Sequence, residues 1–177
     1  MANNEKLIKI VRDNIRSYAD FPKPGIIFRD IFSVLKVPEA FKILQELLVQ
    51  RVKLKAPDAV IGLESRGFLL GPIIALQLGL PFVPIRKKGK LPGKIKQLSY
   101  TIEYGEDTFE IQTDGLQKGQ NVVLVDDLLA TGGSLRAACT LVNQLGAKVV
   151  ECLVVMELKD LNGQENIPVP VHSIVQF

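Results

Sequence analysis

The run Val122-Val-Leu-Val-Asp-Asp-Leu-Leu-Ala-Thr-Gly-Gly-Ser134 constrains this chain more than any other stretch. Its apolar, β-branched start reads as a buried strand. The strand is expected to end in two adjacent carboxylates, Asp126 and Asp127. A short loop then leads to Thr131, Gly132, Gly133 and Ser134, where a helical pattern begins that runs to about Leu145 and is ended by Gly146. Asp127 lies too far from that helix to cap it, and Thr131 is the better N-cap. The backbone N–H groups of such a turn, with the helix N-terminus, can hold a phosphate. The carboxylates can accept hydrogen bonds from hydroxyls or face a magnesium ion. Two anions repel a bare phosphate, so they must meet another part of the same ligand. A ribose phosphate has both parts in one molecule.

Around this run, strands and helices alternate. Leu7, Ile8, Val11 and Ile15 predict a helix from about Asn4 to Tyr18, and Phe21-Pro-Lys-Pro-Gly25 breaks any continuation. Ile26 to Ile31 reads as extended or irregular. Pro38 opens a second helix with Phe41, Leu44, Leu48 and Val52 on one face. Ala59 to Leu63 predicts a short strand ending in Glu64-Ser-Arg-Gly67. A helix from about Phe68 to Leu78 follows, closed by Gly79, with Pro72 tolerable only in its first turn. Pro81 to Ile85 predicts a strand that meets the basic run Arg86-Lys-Lys-Gly-Lys90. Ser99 to Tyr104 and Thr108 to Ile111 predict a hairpin around a Gly105-Glu106-Asp107 turn. Lys148 to Glu157 and Val171 to Phe177 are the last expected strands. The alternation argues an α/β fold, a mainly parallel twisted sheet flanked by helices. Ligands of such sheets bind beyond the carboxyl ends of the strands. Three of those ends, Glu64 to Gly67, Arg86 to Lys88 and Asp126-Asp127, carry polar chemistry suited to a polyanion.

Length and charge narrow the function. The 177 residues suit one domain, and 22 basic against 19 acidic side chains are too balanced to argue for nucleic acid. No GxxxxGK[ST] or GxGxxG run occurs, which removes nucleotide-triphosphatase and dinucleotide readings. Cys139 and Cys152 lie in apolar patterns without metal-ligand spacing and read as buried thiols. His172, between Val171 and Ser173, is given a structural role. The first residues have no apolar leader core and no run is long enough to span a bilayer, so the cytoplasm is the expected compartment. A phosphoacceptor receiver domain can also end a strand in an acidic pair, but there the pair lies near the start of the chain.

The strand, acidic pair and Thr-Gly-Gly turn together resemble the ribose-phosphate motif of the type I phosphoribosyltransferases. Pro24-Gly-Ile-Ile-Phe-Arg-Asp30, Glu64-Ser-Arg-Gly-Phe68, Arg86-Lys-Lys-Gly-Lys-Leu-Pro92 and Glu103-Tyr-Gly105 occur in that order around it. With them the likeness covers nearly the whole chain and narrows to the adenine-specific branch of the family. The resemblance implies a transferase that joins the phosphoribosyl group of phosphoribosyl diphosphate to N9 of adenine, giving AMP and diphosphate in purine salvage. It implies Mg2+ as cofactor, held mainly by substrate and water rather than by protein ligands, and a homodimer. Ala130, Thr131, Gly132, Gly133 and Ser134 should cradle the 5′-phosphate, with Asp126 and Asp127 on the ribose hydroxyls. Arg66, Arg86, Lys87 and Lys90 should balance the diphosphate, and a cis bond at Glu64–Ser65 should turn an N–H toward it. A small N-terminal hood over about 1–35 should bring Ile27 and Arg29 to the edge of adenine, while Phe28 and Leu128 sandwich its ring. A flexible hairpin lid over about 91–107 should carry Tyr104 and the catalytic Glu103, which would handle the base proton. The rival readings are a non-catalytic sensor of phosphoribosyl diphosphate and an enzyme for another purine base.

Overall fold

The computed structural model describes residues 2–102 and 105–177. They form two compact units, Met1–Leu48 and Val49–Phe177.

The first unit opens with α1 (Ala2–Asp13) and continues with β1 (Arg16–Ala19) and β2 (Ile27–Asp30). The two strands pair antiparallel, from Arg16 opposite Asp30 to Ala19 opposite Ile27. The expected helix to Tyr18 therefore stops short. Asn14 folds its side-chain amide onto the Ile10 carbonyl at 2.9 Å, and Ile15 N–H closes on the Arg12 carbonyl at 3.1 Å. The next four residues satisfy their backbone across the ribbon, which outweighs the helical spacing of Ile15. Asp30 then caps α2 (Ile31–Leu35), accepting Phe32 N–H at 3.0 Å. Pro38 opens α3 (Pro38–Lys55), as its sequence position predicts.

The second unit holds a seven-stranded sheet. Its strands are β3 (Ala59–Leu63), β4 (Phe82–Lys87), β5 (Ile95–Ile102), β6 (Gly105–Gln112), β7 (Asn121–Leu129), β8 (Lys148–Glu157) and β9 (Val171–Gln176). They lie in the order β5-β6-β4-β3-β7-β8-β9. The five strands from β4 to β9 run parallel, and the β5–β6 hairpin adds an antiparallel edge. The α/β expectation of a mainly parallel sheet flanked by helices is met. On one face, α5 (Gly133–Gln144) buries Leu135, Ala138, Cys139 and Leu141 against Ile61, Leu63, Val122 and Leu124. Against the other lies α4 (Gly67–Leu78), close enough that a Cβ on Gly67 would stand 2.5 Å from the Val125 carbonyl oxygen. Cys139 and Cys152 are buried free thiols with sulfurs 3.7 Å apart.

Further boundaries differ from the sequence reading. Pro72 sits in the second turn of α4, not the first, because the helix starts at Gly67 with tight bonds from Phe68 N–H to Ser65 and from Leu69 N–H to Arg66. Gly105, Glu106 and Asp107 belong to β6, with Gly105 opposite Ile102, so they are not the hairpin turn. The motif strand β7 continues through the acidic pair to Leu129 because β8 pairs with it that far.

Candidate functional site

The order β4-β3-β7 brings the three polar strand ends side by side. Glu64, Ser65, Arg66, Lys87, Asp126, Asp127 and Ser134 line one cleft of about 210 Å³. A second cleft of about 210 Å³ shares Arg66 and the acidic pair, and is walled by Leu128 and by Ala130 to Ser134. The bond between Glu64 and Ser65 is cis, as the resemblance implies.

The turn after β7 is built from backbone. Gly132 caps α5 with φ at +84°, a conformation that β-carbons disfavour, and Arg136 N–H bonds its carbonyl at 2.9 Å. Thr131 is therefore not the N-cap; its carbonyl instead accepts Asn166 Nδ2 at 3.0 Å. A Cβ on Gly132 would stand 2.4 Å from the Gly163 carbonyl oxygen. A Cβ on Gly163 would stand 2.1 Å from that of Ala130. The segment at 163–166 thus backs the turn from behind, a buttress that no local pattern in the sequence announces. The N–H groups at the start of α5 remain available to an anion, the usual property of a helix N-terminus.

The charged side chains are arranged as pairs. Arg66 Nε donates to Asp127 Oδ2 at 2.5 Å, and Asp127 is only 3% exposed. Arg86 donates to both oxygens of Glu64, at 3.1 and 3.3 Å, and Lys90 Nζ reaches the same carboxylate at 2.9 Å. Lys87 donates its backbone N–H to Glu64 at 3.0 Å, while its ammonium pairs with Asp107 and meets the Tyr100 hydroxyl at 3.2 Å. All four cations expected on a diphosphate are thus held by a carboxylate of the same chain. The sequence reading assigned no role to Glu64 or Asp107. A carboxylate beside each basic segment was the available signal, but the partners lie 20 to 61 residues apart.

Ionisation follows from these neighbours. Burial opposes the charge on Glu64, but bonds from Lys90, Arg86 and the Lys87 N–H hold its carboxyl at about 2. Burial and the adjacent Asp127 charge push the Asp126 carboxyl well above the usual range. Asp126 therefore retains a proton more readily than an isolated carboxylate, and Asp127 is the member with a cation against it.

Ile27, Phe28 and Arg29 lie on β2 of the first unit. Phe28 meets the edge of Phe21 with ring centroids 5.1 Å apart, and both rings line a groove of about 540 Å³ with Tyr18. Arg29 Nη1 donates to Ser17 Oγ at 2.5 Å. Glu103 and Tyr104 lie outside the described residues.

The chain is similar to known proteins over nearly its whole length. Residues 32–171 match the model of the phosphoribosyl transferase domain. The chain is 49% identical to adenine phosphoribosyltransferase of Homo sapiens over 181 aligned positions, covering 100% of this chain and 99% of the human one. It is 49% identical to the protein of the same name from Drosophila pseudoobscura pseudoobscura, with 98% and 97% covered. Among solved structures, adenine phosphoribosyltransferase of Saccharomyces cerevisiae, in complex with an imino-altritol bisphosphate and adenine, superposes with a TM-score of 0.93. That pair shares 40% identity and covers 97% of this chain and 99% of the yeast chain. The enzyme of Trypanosoma brucei, in complex with AMP, pyrophosphate and ribose-5-phosphate, gives 0.89 at 32% identity, with 96% and 79% covered.

Proposed function

We infer how the site works from one premise: the chain belongs to the adenine phosphoribosyltransferases, and it transfers the phosphoribosyl group of phosphoribosyl diphosphate to N9 of adenine. In the reaction N9 bonds to C1 of the ribose, the bond from C1 to the diphosphate oxygen breaks, and diphosphate leaves with the electron pair. The observation that supports the division of roles below is the meeting of the three polar strand ends around Arg66 and Asp127.

Ala130 to Ser134 receive the 5′-phosphate on backbone N–H groups and the hydroxyls of Thr131 and Ser134. Asp126 and Asp127 hold the ribose hydroxyls, and the charge on Asp127 favours the positive charge that grows on the ribose as diphosphate departs. Ser65, Arg66, Arg86, Lys87 and Lys90 receive the diphosphate, exchanging internal carboxylates for substrate oxygens. Magnesium fits the oxygen-rich, anionic chemistry of the Asp126–Asp127 end of the site, held chiefly through substrate oxygens and water. When bound it supplies positive charge to the leaving diphosphate.

In the same reading, the hood segment reads the base. Ile27 and Arg29 present backbone groups to its edge, and Phe28 takes a face of its ring. Glu103 accepts the N9 proton and Tyr104 covers the site from the lid over about 91–107. A second copy of the chain is the natural cover for the outer side of α4, where Leu69 and Leu76 are exposed, Leu76 by 83%. Sedimentation at micromolar protein should then give a dimer. No helix among the described residues is long and apolar enough to cross a membrane, and the cytoplasm is the proposed compartment.

The test is kcat/KM for adenine and for hypoxanthine, in wild type and in Glu103→Gln. Adenine offers an amino donor and an N1 acceptor, and hypoxanthine reverses both. Unmatched polar groups in a specific site give discrimination on the order of 10⁴-fold. Comparable values for the two bases would overturn the base-reading assignment. Glu103→Gln should lose roughly 10²–10⁴-fold in kcat, and an unchanged kcat would remove it from the chemistry.

A further inference from the structure

We propose that Glu110 is a positioning residue, an anionic clip on β6 that fixes the backbone of the loop carrying Lys90 and so aims the diphosphate-binding cations. The proposal rests on the reading that Arg86 and Lys90 meet the diphosphate.

Glu110 is 0% exposed. Its carboxylate accepts three consecutive backbone N–H groups: Gly89 at 3.0 Å, Lys90 at 2.6 Å and Leu91 at 2.6 Å. Gln97 Nε2 adds a fourth donor at 3.2 Å. Convergent N–H groups of this kind form a nest that suits an anion. Among the described residues no cation pairs with this carboxylate, so backbone dipoles and one amide stabilise its charge. Burial opposes ionisation, but the three N–H groups hold the pKa below its ordinary value.

The neighbours show what the clip is for. Arg86 stands directly opposite Glu110 in the ladder between β4 and β6. Its guanidinium nevertheless turns to Glu64 and to the Lys90 carbonyl, 3.1 Å from Nη1. Glu110 is committed to the loop, which leaves Arg86 for the site. Lys90 is therefore held at its N–H by Glu110 and at its carbonyl by Arg86, and its ammonium then reaches Glu64. A neutral amide cannot replace this carboxylate. Glutamine has one acceptor oxygen, and its NH2 would face a loop N–H donor to donor. A buried N–H left unpartnered is costly, and the loop would move to regain a partner.

Hydrogen exchange on the wild-type protein tests the clip without any variant. Gly89 and Lys90 are exposed residues, yet their amides, and that of Leu91, should exchange slowly without substrate. Rapid exchange at these amides would overturn the proposal. Glu110→Gln should release them and raise KM for phosphoribosyl diphosphate by about tenfold, the loss of one charge-assisted hydrogen bond, with kcat and adenine KM unchanged. A fall in kcat with both KM values raised would indicate general damage and overturn the positioning role. Lys90→Gln separates this from the reading beneath it. If Lys90→Gln leaves that KM unchanged, the diphosphate assignment fails and the clip's role with it. If Lys90→Gln raises it and Glu110→Gln does not, the clip alone fails.

Discussion

The turn from Ala130 to Ser134 and the loop from Arg86 to Leu91 are both assigned to anions, yet they are built on opposite plans. The turn offers backbone N–H groups and hydroxyls and no charged side chain, and its shape is enforced by a positive φ at Gly132 and a close approach to Gly163. The loop and its strand offer the charged side chains of Arg86, Lys87 and Lys90, each engaged by a carboxylate. A backbone cradle is rigid and suits a group that stays bound through the reaction, as the 5′-phosphate does. Paired side chains can exchange partners, which suits a group that arrives and leaves, as the diphosphate does.

Asp127 is buried on β7 and lines both the cleft that holds Lys87 and the cleft walled by Ala130 to Ser134, so its loss should be felt most. Asp127→Asn keeps the shape but removes the charge proposed to face the ribose. Removing one such electrostatic element should cost roughly 10²–10³-fold in kcat, read from steady-state rates at saturating substrates. Turnover like wild type would detach Asp127 from the ribose. The cradle comes next. Gly132→Ala forces a β-carbon into a left-handed backbone position and against the Gly163 carbonyl. A displacement near 1 Å in a positioning element costs on the order of 10²-fold, so kcat/KM for phosphoribosyl diphosphate should fall by about that much. Wild-type kinetics in Gly132→Ala would mean the cradle's shape is not needed.

A smaller effect should appear in the acid stability of the paired region. Glu64 is held at about 2, below its ordinary 4.5. A carboxyl with a depressed folded pKa contributes stability fully above the unfolded value and loses it as pH falls toward the folded one. The melting temperature should therefore fall between about pH 5 and pH 2, and Glu64→Gln should flatten part of that slope. An identical pH profile in the variant would show that the Arg86–Glu64–Lys90 group is not ion-paired in solution.

The same contrast explains what could be read from the sequence. The cradle is contiguous, so strand, acidic pair, glycines and helix start stand together in thirteen residues, Val122 to Ser134. The parallel sheet was legible from strand–helix alternation, and β8 has the expected bounds. The pairs Arg66–Asp127 and Arg86–Glu64 were not legible, because they form only when neighbouring strands bring their ends together. The misread Ile15 to Tyr18 has a related cause. Its spacing continues a helix, and only the distant Ile27–Asp30 strand turns it into a ribbon. The N-cap went wrong at Thr131 because a hydroxyl is the common cap, whereas here the turn's own left-handed glycine begins the helix.

Calorimetric titration of Lys90→Gln with AMP and with magnesium diphosphate tests the division between cradle and cations most directly. AMP carries the 5′-phosphate alone, and diphosphate should rely on the paired cations. Lys90 is an exposed side chain, so its loss should leave the fold intact. The Kd for AMP should match wild type, and the Kd for diphosphate should rise about tenfold, the value of one charge-assisted contact. Equal weakening of both ligands, or weakening of AMP alone, would contradict the assignment of the two regions to two different phosphates.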